Sequence, residues 1–416
     1  MSGITITDVI ATPGVGAFFF DDQAAIRQGA RHDGFAIVGD PVTAGFEAIR
    51  QPAAAVLVTL RLSDGHMAHG DCVAVQYSGV GGRDPVLRPS ELVPLLEGAV
   101  ASALRGRDVE EFRGLSETVD ELAATLGGFG TAAAYGVSQA LLDAAAHASG
   151  RTMTATIRAE WGLDGPLRRV PVYAQCGEDR RANVDKMILR GVDSLPHGLI
   201  NTPELVGRDG GALVDYVGWV SRRVRELRRH AGYEPVLHFD VYGIIGLVAE
   251  QRLERVADVL VGMEEAARPF ALRVEHPLDG GSRAAQIQQM AALRGLLRER
   301  GSRVALVADE WANTVGDIQA FNRAGAADMI QIKTPDLGGL HHSVDAVLDC
   351  RRHGVLAHIG GSCCESDRSA RACVHVALAT QADQILAKPG MGVDEGLSIV
   401  TNEMARTLRL ERDAAA

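Results

Sequence analysis

Pro-Val-Leu-His-Phe-Asp at 235–240, Ala-Leu-Arg-Val-Glu at 271–275 and Val-Ala-Leu-Val-Ala-Asp at 304–309 are short apolar runs that each stop on a carboxylate. The closing acids, Asp240, Glu275 and Asp309, stand 35 and 34 residues apart, about the length of one β/α unit. In a parallel barrel, acids so spaced emerge side by side on the rim made by the C-terminal ends of the strands, where such barrels build active sites. A single acid at a strand end reads as the cap of the following helix. Three in consecutive units read as a metal site, because crowded like charges repel unless a cation neutralises them. Oxygen-only ligands select a hard ion, and Mg²⁺ suits a site with positions open to substrate oxygens.

The pattern extends in both directions. Apolar runs at 170–175, 194–199, 235–240, 271–275, 304–309, 329–333, 355–359 and 384–387 are expected as strands. Between them lie amphipathic stretches such as 211–230, 283–300, 313–324, 338–353 and 365–380. Eight such alternations predict an α/β protein built on a (β/α)8-type barrel. A doubly wound sheet gives a similar string; acids on successive strand ends favour the barrel. Ahead of it, 4–11 and 54–62 read as strands, Asp64-Gly65 as a hairpin turn before 67–75, and 90–104 and 116–147 as helical. The expected division is an N-terminal α+β capping domain over 1–160, the barrel over 161–395, and a C-terminal helical segment over 396–416 packing back on the cap. The turn-rich stretch 150–166 is read as the boundary seam.

Composition narrows the function. The net charge is −11 with no basic block, which disfavours a nucleic-acid partner needing clustered Lys and Arg. A small anionic substrate is still accommodated where a bound cation reverses the local field. Residues 1–8 have neither a basic start nor an apolar core, so no secretory signal is read there. The uncharged stretch 122–142 carries Gly127, Gly128, Gly130 and Gly136 and reads as a buried helix pair rather than a membrane span. Six cysteines without CxxC or framework spacing point to a reduced, cytoplasmic protein.

Two further residues complete the rim. Gln-Ile-Lys at 331–333 places Lys333 one unit beyond Asp309. A Lys beside a dication and away from water is expected to lose its proton more readily and serve as a base. Leu-Pro-His at 195–197 places His197 across the barrel mouth. A carboxylate-bound metal flanked by two bases fits removal of a proton α to a carboxylate, the charge being stabilised as an enediolate.

These residues resemble the enolase superfamily and, within it, the 3-methylaspartate ammonia-lyase family. The resemblance is carried by Gln175-Cys176-Gly177-Glu178-Asp179-Arg180, Leu195-Pro196-His197, His238-Phe239-Asp240-Val241-Tyr242-Gly243, Ala308-Asp309-Glu310-Trp311 and Gln331 through Gly339. It continues in Phe20-Asp21-Asp22-Gln23, His32-Asp33-Gly34-Phe35, the segment from Gly70 to Gly79, Cys373-Val374-His375 and Lys388-Pro389-Gly390, and so spans nearly the whole chain. It implies elimination of ammonia from (2S,3S)-3-methylaspartate to mesaconate, as in glutamate degradation, by a Mg²⁺-dependent, K⁺-activated homodimer acting on a small amino acid. By that resemblance Asp240, Glu275 and Asp309 hold Mg²⁺ and Lys333 takes the C3 proton, leaving a Mg-stabilised enediolate. His197 serves the opposite face. Gln76, Gln175, Gln331, Ser362 and Cys363 hold the substrate.

The departures are local. His358-Ile359 stands where the family shows Tyr-Gln, Ser362-Cys363 replaces Thr-Cys, His276 follows Glu275 where Gly is usual, and Tyr173 replaces Phe. The metal and base set is untouched, so the changes bear on the pocket around C3. Rival enzymes of the superfamily (epimerases, cycloisomerases, dehydratases) place Lys-x-Lys where this chain has Leu195-Pro196-His197. A catalytically silent barrel would be expected to lack a ligand or the base; both are here.

Overall fold

The structure, a computed structural model, describes residues 3–414. The chain opens on β1 (Ile6–Asp21), a small hairpin β2 (Arg31–Asp33) and β3 (Ala36–Val38), then β4 (Arg50–Leu62) and β5 (Met67–Cys72). β1, β4 and β5 form an antiparallel sheet in that order. The β4–β5 turn falls at Asp64-Gly65 as expected, closed by the Leu62 amide donating to His66 O at 2.9 Å. The β2–β3 hairpin and the length of β1 were not legible from the sequence pattern.

The helical stretch 116–147 is a pair of helices, as expected for 122–142: Phe112–Thr125 and Thr131–Ser149. They are broken at Gly127, Gly128 and Gly130, all with positive φ, a conformation costly for other residues. No helix among the described residues is long and apolar enough to cross a membrane. The second helix lies against β5 at close range: a Cβ on Gly136 would sit 2.4 Å from the Cys72 amide nitrogen.

The seam at 150–166 differs from expectation, for it contains a helix, Met153–Trp161. Thr152 caps its start by accepting from the Ala155 amide, and Gly162 closes it with φ 61°. Both cap signals stand in the sequence, but the short apolar pattern between them was outweighed by the surrounding turn residues.

Eight parallel strands then close a barrel: β6 (Val172–Tyr173), β7 (Ser194–His197), β8 (Val236–Asp240), β9 (Leu272–Glu275), β10 (Ala305–Ala308), β11 (Met329–Ile332), β12 (Leu356–Ile359) and β13 (Gln384–Leu386). Each falls within an expected run. β6 is the shortest, yet its ladder extends past its bounds, because Ile385 donates to Pro171 O and Ala174 to Ser194 O. Asp240 is in register with Glu275, and Glu275 with Val307. Asp309, two residues on, falls on the same face as Val307. That parity brings the three acids together. The last helix, Asp394–Ala414, lies along Asp367–Thr380, where Arg371 pairs with Glu403 at 2.8 Å, and its far end reaches Thr152 through Glu411.

Candidate active site

Asp240, Glu275 and Asp309 present carboxylate oxygens within 4.8 Å of one another, all buried. Burial, then Asp240 and Asp309, push the Glu275 carboxyl well above the usual range. Burial and Glu310 likewise raise Asp309, more than Lys333 and Arg83 lower it. Glu310 and Asp336 adjoin the group through Arg83, so five carboxylates face the two cations Arg83 and Lys333. Crowded, buried, oxygen-only and short of positive charge, the three acids fit a hard divalent cation.

Lys333 Nζ lies 2.7 and 2.8 Å from the two Asp309 oxygens. Burial and Arg83 depress its pKa, but Asp309, Glu310 and Asp336 outweigh them and hold it above the ordinary value. This is opposite to the depressed pKa expected beside a cation. The carboxylates decide the sign when they act on the amine without one.

His197 closes the other side, its Nε2 3.4 Å from Asp240 Oδ2 and its Nδ1 accepting from the Leu199 amide at 3.4 Å. Gln331 donates to Glu275 Oε1, so it braces that carboxylate as well as facing the pocket. Gln175 reaches Gly390 O at 3.5 Å. From the cap, the Gln76 amide donates to Ser362 Oγ at 3.1 Å, and its side chain donates to Asp21 at 2.8 Å and accepts from Cys363 Sγ at 3.5 Å. All ten residues singled out from the sequence thus gather here. Gln76, Gln175, Gln331, His197, Asp240, Lys333, Ser362 and Cys363 line one small pocket of about 40 Å³, with Glu275 and Asp309 beside Asp240 just behind its lining.

Several participants were missed. Arg83, from the cap loop after Gly81-Gly82, is buried, with Nε 2.7 Å from Asp336 and Nη2 3.7 Å from Asp309. Only a lone cation beside two glycines marked it. His238 accepts from Gln384 Nε2 at Nδ1 (3.2 Å), which leaves the Nε2 proton to bind Glu275 Oε2 at 3.0 Å. Burial holds this ring neutral, and Tyr173 stacks on it at 4.2 Å. Arg50 grips Asp21 through two 2.8 Å bonds and thereby anchors the partner of Gln76. Lys388, wholly buried, donates to Gly360 O and Glu365 at 2.7 Å. Glu365 in turn accepts from the Ser362 amide at 3.0 Å, fixing the loop that carries Ser362 and Cys363.

The departures now have places. His276 has φ 48°, the left-handed region where glycine is at ease, and its buried ring lies 3.2 Å from Glu310. His197 at the end of β7, and Tyr242 and Trp311 just past β8 and β10, share positive φ, so strained backbone rings the rim. His358 is in register with Gln331 and faces the pocket, whereas Ile359 is buried in the apolar core and does not line it. Among the described residues neither His358 ring nitrogen has a hydrogen-bond partner. Burial pushes its pKa down to about 3, so a neutral, unpaired imidazole is presented to the pocket.

Family models described as methylaspartate ammonia-lyase N-terminus and C-terminus match residues 4–162 and 166–413. The methylaspartate ammonia-lyase of Haloarcula marismortui is 50% identical over 414 residues, 98% of each chain. The crystal structure of Citrobacter amalonaticus methylaspartate ammonia lyase containing (2S,3S)-3-methylaspartic acid has a TM-score of 0.96 at 48% identity, covering 98% of this chain and 100% of that one. The Mg complex of β-methylaspartase from Clostridium tetanomorphum has a TM-score of 0.92 at 45% identity, covering 99% and 100%. With both halves of its length matched and about half its residues shared with full-length relatives, this chain belongs to the methylaspartate ammonia-lyase family of carbon–nitrogen lyases.

Proposed function

We propose that the protein eliminates ammonia from (2S,3S)-3-methylaspartate to give mesaconate. The observation that carries this is the meeting, around one pocket, of three buried carboxylates with Lys333 and His197. Lys333 Nζ takes the proton from C3, and the electron pair spreads into the adjacent carboxylate before the C2–N bond breaks and ammonia departs with its electrons. Mg²⁺ held by Asp240, Glu275 and Asp309 would supply Lewis-acid stabilisation of the developing charge and offset the carboxylates that keep Lys333 protonated. Gln76, Gln175, Gln331, Ser362 and Cys363 supply neutral amide, hydroxyl and thiol groups that orient the two substrate carboxylates without adding charge. The capping domain over 1–160 closes the mouth of the barrel over 161–395, with 396–416 as a helical appendage. A K⁺-activated homodimer working in the cytoplasm on glutamate degradation completes the proposal; it rests on the family resemblance alone.

His197 serves the opposite face of C3, as base toward the 3-epimer. The test compares ammonia and mesaconate released from both epimers by the wild type and by His197→Ala. The wild type should release them in equal amounts, and His197→Ala should sharpen preference for the (2S,3S) isomer. Equal losses on both epimers would remove the two-base assignment, and no ammonia from either would remove the activity.

The pocket at C3 or the amine is read by His358. Imidazole is smaller than the family's phenol and offers unpaired hydrogen-bonding nitrogens, so larger alkyl groups should be admitted. His358→Tyr should lower kcat/KM for 3-ethylaspartate relative to 3-methylaspartate by about 10-fold, the scale of one methylene misfit. Ile359 should not matter to this ratio, since it packs away from the pocket. An unchanged ratio in His358→Tyr would show that the ring does not read the substrate.

A further inference from the structure

A second cluster of metal-ligating groups lies at the seam between cap and barrel. Asp120 belongs to the cap helix Phe112–Thr125, while His341 and His342 open the helix Leu340–Arg352 that follows β11. The two Nε2 atoms converge on one oxygen, Asp120 Oδ2, at 2.8 and 3.0 Å. The ligand atoms of all three residues fall within 4.8 Å of one another. We propose that Asp120, His341 and His342 form a second metal site, for a divalent transition-metal ion such as Zn²⁺, which pins the cap helix to the barrel.

Three observations support it. His342 Nδ1 lies 3.0 Å from Leu337 O, and a carbonyl can only accept, so Nδ1 carries a proton. Burial lowers the His342 pKa but Asp120 more than restores it, so without a metal Nε2 holds a proton toward the carboxylate, and a bound cation would take that proton's place between the two. A ligating His whose other nitrogen donates to a backbone carbonyl is the usual outer-shell arrangement of a zinc site. Second, His341 is only 4% exposed and its Nδ1 has no partner among the described residues, so the ring's polar contact is made at Nε2, into the cluster. Third, the donor set is two imidazoles and a carboxylate, which suits Zn²⁺ and its neighbours and not Mg²⁺. Tetrahedral ligation spaces donors by about 3.3 Å, so each of the two N···O separations need open by only a few tenths of an ångström. His342 and Asp120 are about one-third exposed, leaving a fourth position to water.

The site is separate from the acidic rim, and its test does not depend on the proposed reaction. Protein saturated with Mg²⁺ is dialysed against Zn²⁺, and zinc bound per chain is counted for the wild type, His342→Ala and His341→Ala/His342→Ala. The wild type should hold one more Zn²⁺ than either variant; any zinc exchanging into the rim is common to all and cancels. Zn²⁺ should also raise the Tm of the wild type and not that of His342→Ala, whose partly exposed side chain makes it the safer variant for folding. Co²⁺ in place of Zn²⁺ should give visible bands of a low-symmetry nitrogen-ligated ion in the wild type alone. Equal zinc counts with unchanged Co²⁺ spectra would overturn the site, leaving an imidazolium–carboxylate pair.

Discussion

Lys333→Ala should lose C3 proton exchange and mesaconate formation on (2S,3S)-3-methylaspartate by about 10²–10⁴-fold, the usual effect of removing a positioned general base. That factor corresponds to about 3–5 kcal/mol in the barrier. Lys333 pairs with Asp309 at 2.7 Å, so part of any loss could reflect a disturbed acid cluster. Lys333→Arg separates the two effects. It keeps the positive charge beside Asp309, but a guanidinium does not give up its proton in proteins and cannot act as a base. Both variants should therefore fall together. Exchange is read by NMR of substrate recovered from D₂O, which isolates the proton step from ammonia release. Wild-type exchange in Lys333→Arg would remove Lys333 as the base.

Asp309→Ala should be the most damaging change at the acidic wall, weakening Mg²⁺ binding by more than 100-fold and abolishing activity at ordinary Mg²⁺. Loss of an outer-shell partner alone typically costs 10–100-fold in metal affinity, and a direct ligand should cost more. Asp309 also touches Lys333 and lies within 3.7 Å of Arg83, so its removal leaves two buried cations short of a partner. Asp309→Asn preserves shape while removing the charge, and should bind Mg²⁺ as poorly. Calorimetric titration with Mg²⁺ decides it. Unchanged affinity in both variants would exclude Asp309 from the metal site.

The barrel was legible because buried parallel strands announce themselves as apolar runs, and because Asp240, Glu275 and Asp309 mark three strand ends at one repeat length. Lys333 followed as the next position round the rim. What escaped the sequence depends on tertiary closure. Arg83 lies 253 residues from Asp336, and nothing in its loop announces that the cap folds it into the acids. His238 is one residue within an apolar run, and only closure of the barrel sets its ring between Gln384 and Glu275. His358 and Ile359 could be told apart only by register, since one step along a strand reverses the facing. The Lys333 charge state failed for another reason. Its expected shift presupposed the cation, whereas the side chains by themselves favour the ammonium.

Metal-assisted removal of the C3 proton is tested most directly by following mesaconate absorbance after addition of (2S,3S)-3-methylaspartate, first with Mg²⁺ and then with excess chelator. Absorbance should grow steadily with Mg²⁺, stop on chelation and resume when Mg²⁺ is restored in excess. Full turnover in chelator, or no mesaconate with Mg²⁺ present, would contradict it.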